Sequence, residues 1–165
     1  MAYHYKVAGE TVTLDVDPSV IAVKFAEVPA SIRANLLESL SLGSYSQRID
    51  LPREGLSIIP AVPPAGFAPA GANLAFHAEA FRALEAAEAV EQARPVFRIG
   101  ANQAVATDRV ILGVADNASA EALLERFHLA QVSRSAERLV ARVPEGVDVF
   151  DVVAAVEDAP GILYA

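Results

Sequence analysis

Cysteine is absent from the 165 residues, which excludes a disulfide framework, a thiolate metal site and a cysteine nucleophile together. Clusters of lysine and arginine are missing as well. With 21 acidic against 13 basic residues, a net charge of -8, the electrostatic footprint of a nucleic-acid binder is lacking, and anionic membranes are not expected partners. No run of about 18 uncharged apolar residues occurs, as a bilayer span would require. The opening Met1-Ala2-Tyr3-His4-Tyr5-Lys6-Val7 has neither a basic region leading into an apolar one nor a small-residue cleavage site. A signal peptide is therefore not expected, and the compartment stays undetermined.

What is present is a large apolar fraction: 53% of the residues are hydrophobic and only 21% charged. A chain of this length buries roughly 70% of the surface exposed when unfolded, so it needs no disulfide or metal to hold a core. Tyr3 to Val16 alternate about an Ala8-Gly9-Glu10 turn and read as a β-hairpin. Asp17-Pro18-Ser19 is expected to break it before a buried strand over Val20 to Phe25. Pro29 suits a first helical turn, and Ile32, Leu36, Leu37 and Leu40 recur at helical spacing up to Gly43. Leu56 to Ile59 reads as a strand that Pro60 confines to an edge or an end.

Residues 60 to 73 hold four prolines and two glycines, which predicts a long surface loop. Asn73 can cap the next helix, whose stripe of Phe76, Ala80, Phe81, Leu84, Ala87 and Val90 is expected to run until Pro95. A strand over Val96 to Ile99 and a polar linker from Gly100 to Ala106 follow.

The second half then reads strand (Arg109 to Val114), helix (capped within Asp116 to Ser119, with Leu123, Leu124 and Phe127 inward) and strand pair (Ala130 to Ser133, Leu139 to Val143). A helix after Asp148, with Val149, Val152, Val153 and Val156 on one side, and a last strand over Ile162 to Tyr164 complete it.

This β-α-β-β-α-β order is echoed in the first half. The expected fold class is α+β, with two ferredoxin-like repeats whose antiparallel sheets carry their helices on one face: residues 1–100 with the leading hairpin, and residues 107–165. The other face of each sheet is left free for a partner.

Chemistry-bearing patterns are scarce. His4, His77 and His128 lack metal-ligand spacing, Gly43-Ser44-Tyr45-Ser46 does not join a strand to a helix as a nucleophile elbow does, and no glycine-rich phosphate loop occurs. The carboxylate pairs Asp15/Asp17 and Glu157/Asp158 flank a turn and a helix end, where solvated acids are ordinary. No catalytic, metal or cofactor-binding residues are expected, and the chain does not read as an enzyme.

Three segments of the second half, Thr107 to Val114, Ala120 to Leu129 and Arg138 to Gly146, resemble in their order the N-terminal prodomain of subtilisin-like serine proteases. Val156 to Ala165 looks like that prodomain's final helix and strand, and the first hundred residues look like the N-terminal extension of fervidolysin-like members. The resemblance implies a folding chaperone and inhibitor that lays its open sheet face on two helices of a subtilisin-like protease, in cis or in trans. It also implies protease contacts from Leu139 and Ala141 and from Ile162, Tyr164 and Ala165. The family is mostly secreted. Its acidic helix-capping residue and cleft-blocking tail, which follow the last strand, have no counterpart up to Ala165. The alternatives from the residues alone are a structural or homodimerising module, in which an open sheet pairs with its twin, and, last, an enzyme that would need a polar pocket.

Overall fold

Alternating residues at the start of the chain pair as their period of two requires. β1 (Tyr3–Val7) lies antiparallel to the first part of β2 (Glu10–Phe25), with Tyr3 opposite Leu14. The computed structural model describes residues 3–7, 10–62, 72–100, 102–156 and 159–164, so the turn residues Ala8 and Gly9, the proline-rich stretch 63–71 and the Glu157/Asp158 pair lie outside it. The chain forms two units: residues 16–105, and residues from 106 onward together with the leading segment up to Asp15.

In the first unit β2 is followed by α1 (Ala30–Ser39), a single 3₁₀ turn (Tyr45–Gln47), β3 (Ile49–Leu51), β4 (Leu56–Pro60), α2 (Ala72–Glu85), β5 (Val90–Ile99) and β6 (Asn102–Val105). The strand order is β3-β4-β2-β5-β6, a ferredoxin-like sheet widened at one edge by the β5–β6 hairpin. Ile21, Val23 and Ile59 meet Leu37 of α1 and Ala80 and Leu84 of α2 in one core. Both helices therefore cover the same side. Ala22 of β2, Ile58 of β4 and Val96 of β5 form a second buried cluster, the first two at positions that alternate with those of the first core.

Four expectations are corrected here. Asp17-Pro18-Ser19 does not end the strand: Pro18 falls between the stretch of β2 paired with β1 and the stretch paired with β4, where a missing N–H is best tolerated. α2 ends at Glu85, and Val90 to Pro95 are strand, because pairing within the sheet overrides the helical propensity of Glu91, Gln92, Ala93 and Arg94. α2 also begins at Ala72, which puts Asn73 inside the helix rather than at its cap. The polar linker contains β6, and β3 completes a hairpin with β4.

In the second unit β7 (Arg109–Val114), α3 (Asn117–Arg126), β8 (Ala130–Arg134), β9 (Arg138–Arg142), α4 (Val149–Val156) and β10 (Ile162–Tyr164) follow the expected order with the expected caps. Asp116 accepts from the Ser119 N–H at 2.7 Å, and Asp148 from the Phe150 N–H at 2.9 Å. The strand order β10-β7-β9-β8 is the ferredoxin-like one. Gly161 has φ +82°, and a Cβ there would collide with Ser119 of α3, so the turn into β10 requires glycine. The leading hairpin, expected with the N-terminal half, groups with this unit: the Tyr3 ring stands 4.9 Å from that of Phe150 in α4.

One buried acid ties β2 to the β5–β6 hairpin. Asp17, only 3% exposed, accepts hydrogen bonds from the Ser19 N–H and hydroxyl (3.0 and 2.6 Å), Arg98 Nη2 (2.8 Å) and Gln103 Nε2 (2.9 Å). Burial alone would raise its pKa. The bonds from Arg98, Ser19 and Gln103 together outweigh burial and hold the carboxyl well below the usual range. This contribution is complete above the ordinary carboxylate pKa and is lost as pH falls through the depressed folded value. We expect Asp17→Asn to lower the unfolding free energy at pH 7 by about 2 kcal/mol. In urea unfolding from pH 7 to pH 2, the gap between wild type and variant narrows below about pH 4; a gap that stays constant would show the clamp is not ionic.

Candidate functional site

The C-terminal sheet sorts its side chains by strand parity. On β7 and β9 the pairs Val110–Ala141 and Leu112–Leu139 point one way, while Arg109–Arg142, Ile111–Val140 and Gly113–Arg138 point the other. The first set is buried with Val114, with Ala120 and Leu123 of α3 and with Val152 and Val156 of α4. Both helices thus press on one face. Neither α3 nor α4 packs on the second set: Ile111 is 53% exposed, Val140 half-buried and all three arginines exposed.

Neighbouring strands extend this second face. On β8, Ala130 lies opposite Arg142 and Ser133 opposite Val140, with Val132, 45% exposed, at the irregularity between them. On β10, Ile162 turns inward opposite Val114, and Leu163, the next residue, is 56% exposed. Ile111 and Val140 thus form an apolar pair across β7 and β9 with arginine at both ends, and Leu163 is a further exposed apolar residue on β10. Asp108 holds Arg142 through a 3.0 Å ion pair between half-exposed groups, an interaction that contributes little in water. Arg109 and Arg138 have no side-chain partner among the described residues.

The residues expected to contact a protease fall differently. Leu139 and Ala141 are fully buried under the helices, so the outward side chains of their strand are Arg138, Val140 and Arg142. Ile162 is half-buried against the same core. Tyr164 takes its place on β10 opposite Gly113, while its side chain and Ala165 lie outside the described residues. The signal that marks the open face was available: Arg109 opens β7, and Arg138 and Arg142 bracket β9 at the matching parity.

Polar groups converge elsewhere only modestly. Asp17, Arg98, Gly100, Asn102 and Gln103 line an open recess in the first unit, but the Asp17 carboxylate is saturated by the clamp and has no proton to exchange near neutral pH. His77 is buried, with Nε2 3.2 Å from the Val20 carbonyl and its ring stacked on Phe81. Burial lowers its pKa, which the Val20 carbonyl offsets in part, so it stands neutral as a packed side chain. No described helix is long and apolar enough to cross a membrane. The chain matches no protein-family model, no curated protein and no solved structure.

Face assignment has a direct consequence for stability. Leu112→Ala should cost about 2–4 kcal/mol by opening a cavity in the core, whereas Ile111→Ser, one residue away, should change stability by less than about 1 kcal/mol. Urea unfolding of both variants checks this, and the reverse ranking would mean the faces are exchanged.

Proposed function

We propose that the chain is a non-catalytic prodomain-like module that assists the folding of a subtilisin-like serine protease and inhibits it, docking through the helix-free face of the C-terminal sheet. The observation that carries this reading is the helix-free side of β7 and β9, where exposed Ile111 and half-buried Val140 stand between arginines, with Leu163 exposed on β10, on an otherwise well-cored ferredoxin-like unit. Apolar side chains aligned on one side of a sheet, with a filled core behind them, form a rigid surface for another folded body. The order of elements from Arg109 to Tyr164 agrees with that of the prodomains the sequence resembles.

The physics of such a module is mass action. A partner that binds the native protease and not its unfolded chain stabilises the native state, by about 2.7 kcal/mol at a concentration of 100 times Kd. The same contact that speeds folding therefore persists on the folded enzyme. Inhibition follows when the docked module, or a segment led from β10, lies along the substrate cleft as an added strand.

Mixing experiments test this. Micromolar chain, with and without an added acidic C-terminal tail, should slow peptide hydrolysis by a subtilisin-like protease and speed recovery of activity from the acid-unfolded protease. Ile111→Asp with Leu163→Asp should weaken both effects by about tenfold or more, since burying either carboxylate costs at least about 1.4 kcal/mol. If the wild-type chain neither slows nor rescues the protease, the proposal fails. A concentration-independent dimer in light scattering that those substitutions dissociate would replace it with the homodimer reading.

A further inference from the structure

We infer that the helical surface which the prodomain resemblance gives this face is an acidic one, with carboxylates at both ends of an apolar stripe; the inference rests on reading the face as a docking surface. The chain as a whole is acidic, at -8, yet the charged side chains on this face are Arg109, Arg138 and Arg142, all of the opposite sign. Nothing in the unit's own folding accounts for that. Arg109 stands directly opposite Arg142, and like charges across a strand pair are unfavourable. Asp108 relieves Arg142 alone, while Arg109 and Arg138 remain without side-chain partners among the described residues. A guanidinium presents a planar fork that fits a carboxylate with two parallel hydrogen bonds, and the fit strengthens once a partner excludes water.

Spacing defines the partner further. Arg138 and Arg142 are four strand residues apart, about 13 Å at roughly 3.3 Å per residue, with Val140 midway and Ile111 beside it. Two acids seven or eight positions apart on a helix are separated by about 11–12 Å and share one side, with room for leucines between them. Such a stripe matches arginine, apolar pair, arginine.

Two other occupants fit less well. A second copy stacked face to face would set arginine against arginine. Nucleic acid would satisfy the arginines, but a chain of net charge -8 with no lysine and arginine cluster along its sequence repels a polyanion.

The test uses the full chain and two synthetic 18-residue helices, one with glutamates at positions i and i+7 bracketing leucines, the other with lysines in their place. In fluorescence anisotropy the glutamate helix should bind, and its affinity should fall at least fivefold between 50 and 500 mM salt, with no detectable binding of the lysine helix. Arg109→Glu with Arg138→Glu should weaken the glutamate helix at least tenfold and create binding to the lysine helix, with the thermal midpoint unchanged. Binding of neither helix, equal binding of both, indifference to the double reversal, or tighter binding of a single-stranded oligonucleotide overturns the inference. The protease reading is scored apart from it: equal inhibition by wild type and the double reversal sinks the acidic-partner inference alone, whereas glutamate-helix binding without any effect on a protease sinks the protease reading alone.

Discussion

Both helices of the C-terminal unit lie on the same side of its four strands, and everything proposed for this chain depends on that placement. The strand order β10-β7-β9-β8 makes each helix a crossover between parallel strands that skips one neighbour, and the preferred right-handed crossover brings both to one face. Val110, Leu112, Val114, Leu139 and Ala141 are consumed by that packing. Leu112 and Leu139 alone, fully buried, contribute roughly 1.5–3 kcal/mol each through transfer from water. With the core filled from one side, the residues of opposite parity are released from that packing.

The two repeats share their topology but use their second faces differently. Ala22 in the first unit corresponds to Ile111 in the second, both near the middle of the first core strand. Ala22 is completely buried with Ile58 and Val96, while Ile111 is 53% exposed. The first unit also carries an added edge strand, β6, fastened by Asp17, Arg98 and Gln103. The second face is thus closed in the first unit and open in the second.

Much of this was legible in the residues. The elements from Arg109 to Tyr164 follow from period, caps and turns, because Asp116, Asp148 and Gly161 each do one local task that no other part of the fold alters. Harder to read were short or conflicted elements: β3 and β6 have three and four residues, and Val90 to Pro95 carries helical propensity into a strand. Leu139 and Ala141, expected to contact a protease, point inward. Leu139, Val140 and Ala141 are consecutive apolar residues, so β9 by itself does not reveal its inward parity. Pairing with β7 supplies it, since Arg109 and Ile111 select Arg138, Val140 and Arg142 as outward companions. Such pairing is a tertiary fact that local pattern does not contain.

Hydroxyl-radical footprinting of the free chain, read residue by residue, tests the central claim most directly. An open second face predicts fast oxidation at Ile111, Val132 and Leu163 beside strong protection at Leu112, Leu139 and Val114. Protection of Ile111 and Leu163 equal to that of Leu112, in a chain shown to be monomeric, would mean the face is covered and would contradict the account.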